Sequence, residues 1–74
     1  MQTILDSRGF GHLIRVERKA QKLTQEQLAG LTGVGVRFVR ELEAGKENCR
    51  IGLALQVAAS LGLTVSAASR REDG

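Results

Sequence analysis

The chain has no proline, tryptophan or tyrosine, and only one cysteine, one histidine and two phenylalanines among its 74 residues. With Cys49 alone, no intrachain disulfide can form, and one thiol with one imidazole, His12, cannot build a zinc site. Both read as side chains without chemistry, His12 on a charged helix and Cys49 in a loop. The core must be aliphatic. Phe10 and Phe38 are too few to supply the stacking platforms on which single-stranded RNA readers depend. No stretch approaches the roughly 18 apolar residues of a membrane span. The opening MQTILDSRGF has neither the basic start nor the apolar stretch of an export signal, and with a single thiol this fits a reducing cytoplasm. No nucleophile stands with a base, no carboxylates pair, and the glycines follow no G-x-G-x-x-G order. No enzyme, cofactor, metal or small-molecule site is expected.

What is present is short helical text. A chain of this length permits one domain with a thin stability margin, and without disulfide or metal the natural supplement is self-association. Eleven basic residues against eight acidic give a formal charge of +3, a mild bias toward polyanions whose meaning depends on where the charges sit.

Glycines punctuate the chain into helices. The first is expected over 9–22, with Phe10, Leu13 and Ile14 on its apolar face. The second, 25–32, opens with a T-x-x-Q capping box (Thr24, Gln27) and a hydrophobic staple (Leu23, Leu28), and Gly33 stops it. The third, 36–44, follows Gly35, repeats the staple spacing with Val34 and Val39, and ends at Gly45. The fourth, 52–61, places Ile51, Ala54, Leu55, Ala58 and Leu61 at helical spacing. Residues 63–67 then alternate apolar and polar, the period of a half-buried strand. A lone strand leaves its backbone unpaired, so Leu63, Val65 and Ala67 are expected to pair across a homodimer, with Ile4 and Leu5 as an intrachain alternative. The chain thus divides into a tail (1–8), a helical domain (9–62) and a C-terminal strand and tail (63–74).

The segment QEQLAGLTGVGVRFVRELEA carries the specific signal. Two helices crossing at about 90–120° through a tight turn bring their backbones close. Ala29 supplies the small residue at the crossing, Val39 the branched one against it, and Gly33 the positive φ of the turn. Leu28, Val34 and Leu42 close the core beneath. The outward residues of the third helix are Val36, Arg37, Arg40 and Glu41.

LTQEQLAGLTGVGVRFVRELEAGK followed by IGLALQVAASLGL resembles the Cro/phage-repressor (XRE-type) helix-turn-helix family, and GVGVRFVRELEAGK with the β-like C-terminus is most similar to its HipB-type antitoxins. The resemblance implies an all-α, lambda-repressor-like domain of four or five helices with a short C-terminal strand pairing across a dimer. It implies a repressor of double-stranded operator DNA, autoregulating a toxin–antitoxin operon, with a HipA-like kinase toxin or a fragment of one as protein partner. The third helix would enter the major groove. Arg37 suits guanine N7 and O6, Arg40 a base or a phosphate, Val36 a thymine methyl, and Glu41 a cytosine amine. The competing reading of Arg37 and Glu41 is an i,i+4 pair on a solvated face. Gln25 would bind a phosphate at the N-terminus of the second helix, joined by Lys46 and Arg50. Arg18 and Glu43 would form a structural ion pair. Where many repressors open the third helix with a Gln that braces Gln25, this chain has Val36, and the tail offers no aromatic anchor to a toxin. A free-standing phage-type regulator without a toxin, and an adaptor binding protein through the same surface, are the competing functions.

Overall fold

Asp6 opens the first helix, its carboxylate accepting from the Gly9 N–H at 2.8 Å, and the chain then builds four helices. The structure, a computed structural model, describes residues 3–71; the extreme ends of both expected tails lie outside the described residues. The helices are α1 (Ser7–Ala20), α2 (Gln25–Thr32), α3 (Val36–Glu43) and α4 (Ile51–Ser60). α1 therefore begins and ends two residues before the expected 9–22. The Asp6 cap sets its start. Its end is a Schellman motif in which Leu23 N–H returns to Arg18 C=O (3.1 Å) and Lys22 N–H to Lys19 C=O (2.9 Å). Lys22 holds the left-handed position there, at φ +59°, where a glycine would have been expected.

α2 starts as its sequence dictates. Thr24 Oγ1 accepts from Gln27 N–H at 3.0 Å while the Gln27 side chain accepts from Thr24 N–H at 2.8 Å, closing both halves of the capping box. Gly33 ends it at φ +80°. α3 follows after Gly35, whose lack of a side chain leaves that helix start without a side-chain cap.

The core joins Ile14 of α1, Leu28 and Ala29 of α2, Val39 and Leu42 of α3, and Ala54, Val57, Ala58 and Leu61 of α4 and its end. Ala29 and Val39 lie together in that core, where a small residue lets α2 and α3 approach. The expected face of α4 holds at Ala54, Ala58 and Leu61, which are buried, and requires correction at its other positions. Val57 is fully buried, whereas Ile51 and Leu55 are 71% and 42% exposed. Their outward position extends a shallow apolar groove between Phe10 and Leu13 of α1 and the terminal segments, where Leu5 and Val65 lie.

Among the described residues no strand forms. Residues 63–67 are irregular, and neither the expected strand nor the alternative pairing with Ile4 and Leu5 occurs within the chain. The physical reason is the one that raised the question: a single extended stretch has no second stretch to bond. Only Leu63 is anchored, its N–H bonded to Ala58 C=O at 3.0 Å and its side chain half-buried against the core.

Candidate nucleic-acid interface

The α2–turn–α3 unit presents one solvent-facing surface, and its geometry starts at a buried carboxylate. Glu43, in the last turn of α3, has a side chain only 3% exposed. It accepts from Arg18 Nε at 2.6 Å and Arg18 Nη2 at 2.9 Å, a two-pronged contact that ties α1 to α3. Arg18 Nη1 donates to Leu23 C=O at 2.7 Å, so the guanidinium also closes the α1–α2 connection. Burial alone would raise the Glu43 carboxyl, but hydrogen bonds from Arg18 and Gln25 outweigh it and hold the group below the usual carboxylate range.

The Gln25 contact replaces the bracing that Val36 cannot give. Gln25 Nε2 donates to Glu43 Oε1 at 3.1 Å, fixing the first side chain of α2 against the end of α3. One amide hydrogen is spent on Glu43, and the second remains to donate. Among the described residues the backbone N–H groups of Gln25 and Glu26 have no acceptor, as the first turn of a helix requires. An anion placed there meets those donors and the positive end of the helix dipole.

Arg37 lies on the exposed face of α3 with its side chain 89% accessible. Its Nε donates to Glu41 Oε1 at 2.9 Å, leaving both terminal nitrogens without a partner among the described residues. Glu41 Oε2 accepts from Lys46 Nζ at 2.6 Å. The backbone makes that second pair easy. Gly45 adopts φ +85°, and Lys46 N–H returns to Glu41 C=O at 3.0 Å, folding the loop back over α3. No other residue fits position 45, since a Cβ there would lie 2.8 Å from Arg8 Cα as well as straining φ. Hydrogen bonds from Lys46 and then Arg37 hold the Glu41 carboxyl below its ordinary range.

The remaining sites are looser. Arg40 is exposed and 3.7 Å from Glu26, a solvated pair of little energetic weight. Arg50 is exposed at the N-cap of α4 and makes no ion pair among the described residues. Val36 is half-buried against the core, so only part of its side chain faces outward. Leu63, Val65 and Ala67 lie apart from this surface, beside the groove at the chain ends. Cys49 is half-buried in the α3–α4 loop and His12 is exposed. The Arg37–Glu41 pair is the one the sequence offered only as the competing reading of two base-contacting residues, and Lys46 as a second partner was missed, its signal a glycine just after the helix followed by a lysine. Also missed was Gly11, whose Cβ would land on the Leu42 carbonyl oxygen and 3.0 Å from that of Glu43. A glycine inside a helix was the available signal.

The helix-turn-helix family model matches residues 14–66. The chain belongs to the helix-turn-helix family. The match takes in the capping box, the turn at Gly33, and α3 with its exposed basic face. A relative in Sinorhizobium fredii, the "Uncharacterized HTH-type transcriptional regulator y4mF", is 51% identical over 56 residues, 76% of this chain and 74% of the relative. Among solved structures, a HipB–O4 20mer complex and a HipA–HipB–O2–O3 complex each superpose with TM-score 0.86 at 18% identity, covering 96% of this chain and 100% of the matched one. At that identity they establish the fold of this helix-turn-helix domain. No helix among its described residues is long and apolar enough to cross a membrane.

Proposed function

We propose that this helix-turn-helix protein is a sequence-specific transcriptional repressor of double-stranded DNA that inserts α3 into the major groove. The observation that carries the reading is Arg37, which stands almost fully exposed on α3 with its two terminal nitrogens unengaged, the pair that guanine N7 and O6 accept. Arg40 and the outward part of Val36 continue the reading face. Gln25, held by Glu43 with one amide hydrogen to spare, takes a phosphate at the N-terminus of α2, and Lys46 and Arg50 take phosphates beside it.

The protein acts as a homodimer in this reading. The groove that exposes Leu5, Leu55 and Val65 is apolar, and the unpaired stretch from Leu63 through Val65 to Ala67 bonds the same stretch of a second copy. Two copies place two reading helices about one turn of the duplex apart. The likeness in fold to HipB bound to HipA and DNA supports an antitoxin role, autoregulation of its operon, and a HipA-like kinase as protein partner. Co-purification from cells carrying the intact neighbouring genes separates an antitoxin from a free-standing regulator.

The test of DNA binding is retention of random-sequence duplex by the purified protein over a range of salt. Enrichment of a two-fold symmetric sequence, with affinity falling steeply as salt rises, is the expected result. Retention of no duplex even at low salt would refute it, and would leave the adaptor reading in its place.

A further inference from the structure

We infer that Glu41 is an internal counter-ion that restrains Arg37 and Lys46 on non-cognate duplex, so that it sets the sequence discrimination of the interface rather than its affinity. The inference rests on the DNA-binding reading and deepens it. Both carboxylate oxygens are engaged, Oε1 by Arg37 Nε at 2.9 Å and Oε2 by Lys46 Nζ at 2.6 Å. One acid thus links the best base-reading residue to the best phosphate-binding one. The link is built into the backbone, because the left-handed Gly45 turns Lys46 back to donate its own N–H to Glu41 C=O. The three side chains together present one net positive charge instead of two.

Contact with DNA changes what each partner sees. A phosphate that draws Lys46 away leaves Glu41 Oε2 without its donor and close to a like charge. Toward the bases, guanine N7 and O6 and thymine O4 are acceptors that repel a carboxylate, whereas cytosine N4 and adenine N6 donate to it. The freed oxygen is satisfied only where the sequence places such a donor beneath it. In random duplex the amino group of a base pair lies on the strand beneath Glu41 in only about half of cases, and in the rest the pair with Lys46 must be kept or its loss left uncompensated. Glu41 is held below the ordinary carboxylate range by the same two cations, so it stays ionised throughout neutral pH.

The experiment compares parent, Glu41→Gln and Glu47→Gln on the duplex best enriched by the parent and on a scrambled duplex of the same length, across salt. Glu47 lies one residue beyond Lys46, is exposed, and makes no ion pair among the described residues, so its variant removes the same charge without releasing either cation. Glu41→Gln is expected to steepen the salt slope on scrambled duplex by about one per protomer, a gain on the order of eightfold per protomer at 0.1 M salt. The enriched duplex gains less, because it loses the carboxylate's base contact, so the affinity ratio falls about fivefold or more. Glu47→Gln shifts both duplexes by one smaller factor and leaves the ratio unchanged. A Glu41→Gln protein that tightens both duplexes equally, or leaves the scrambled duplex unchanged, overturns the inference while the DNA reading stands. A parent that retains no duplex at any salt overturns the DNA reading itself. Both pairs of Glu41 lie at the surface and Glu47 is exposed, so unaltered melting of the variants checks that the fold is intact.

Discussion

Glu43→Leu should be far more damaging than an ordinary substitution of one carboxylate. The change removes the acceptor of three hydrogen bonds, two from Arg18 and one from Gln25, at a side chain 3% exposed. Arg18, itself buried, cannot lose its proton in compensation, and keeps only the Leu23 carbonyl. Breaking a buried pair from one side costs about 3–5 kcal/mol. A chain of this size has a total stability on the order of 4–11 kcal/mol, so the single variant stands near the edge of folding. At roughly 4–8 °C per kcal/mol, thermal unfolding should shift down by at least about 12 °C. The double variant Arg18→Met, Glu43→Leu removes the stranded charge and should recover about 2 kcal/mol or more of that loss. Circular dichroism melts and urea titrations at one fixed protein concentration measure all three. The pH dependence has a definite sign. The folded Glu43 carboxyl lies below its unfolded value, so its stabilisation is complete above the ordinary range near pH 4.5 and is lost as pH falls from there through the depressed value. The balance between parent and double variant should therefore move against the parent in that acid window. A Glu43→Leu melt within about 3 °C of the parent, or a double variant no better than the single, would refute the reasoning.

Gly11→Ala should lower the melting temperature by about 5 °C or more, because the added methyl meets the Leu42 and Glu43 carbonyls and forces α1 from α3. A rise in melting temperature, as helix propensity alone would give, would contradict that packing. Gly33→Val should destabilise by about 1–2 kcal/mol or more through its φ of +80° alone, since nothing stands within 4 Å of the new Cβ; a melt that overlays the parent removes the turn argument. Truncation after Leu63, which keeps the Schellman cap of α4, should convert a dimer to a monomer in sedimentation at micromolar concentration. A parent already monomeric there, or a truncated form still dimeric, would contradict dimerisation through Val65 and Ala67.

The second helix was fully legible because its information is local: Thr24, Gln27 and Gly33 specify a start and a stop through bonds within a few residues. Of the buried set, Leu28, Ala29, Val39 and Leu42 followed from steric logic applied to one turn, and Ile14 from the apolar face of α1. α4 was legible as a helix, with Ala54, Ala58 and Leu61 on its buried side, but its orientation was not legible in full. Leu53, Ala54, Leu55, Val57, Ala58 and Ala59 leave scarcely any polar face, so periodicity could not choose Val57 over Leu55 as the buried side. The side-chain link from Glu43 to Gln25 needed three-dimensional placement, because it reaches out of α3 to another helix, whereas the link from Glu41 to Lys46 turns on Gly45 within five residues. The terminal strand was read from an alternation that is real, but among the described residues that stretch finds no second strand to bond and stays irregular.

Whether α3 reads bases is tested most directly by comparing Arg37→Ala with Lys46→Ala. The two residues carry the same charge and share one carboxylate, so a purely electrostatic surface would respond alike to either loss. The enriched duplex and its complete set of single-base variants are titrated with parent and both mutants at several salt concentrations. Arg37→Ala is predicted to lose about 1–3 kcal/mol on the best duplex and to relax discrimination at one base pair of each half-site. Lys46→Ala is predicted to weaken alike all variants that keep the base donor beneath Glu41, and to reduce the salt slope on them by about one per protomer. If Arg37→Ala instead lowers every affinity equally and leaves the ranking of variants intact, Arg37 is a phosphate clamp and α3 does not read the sequence through it.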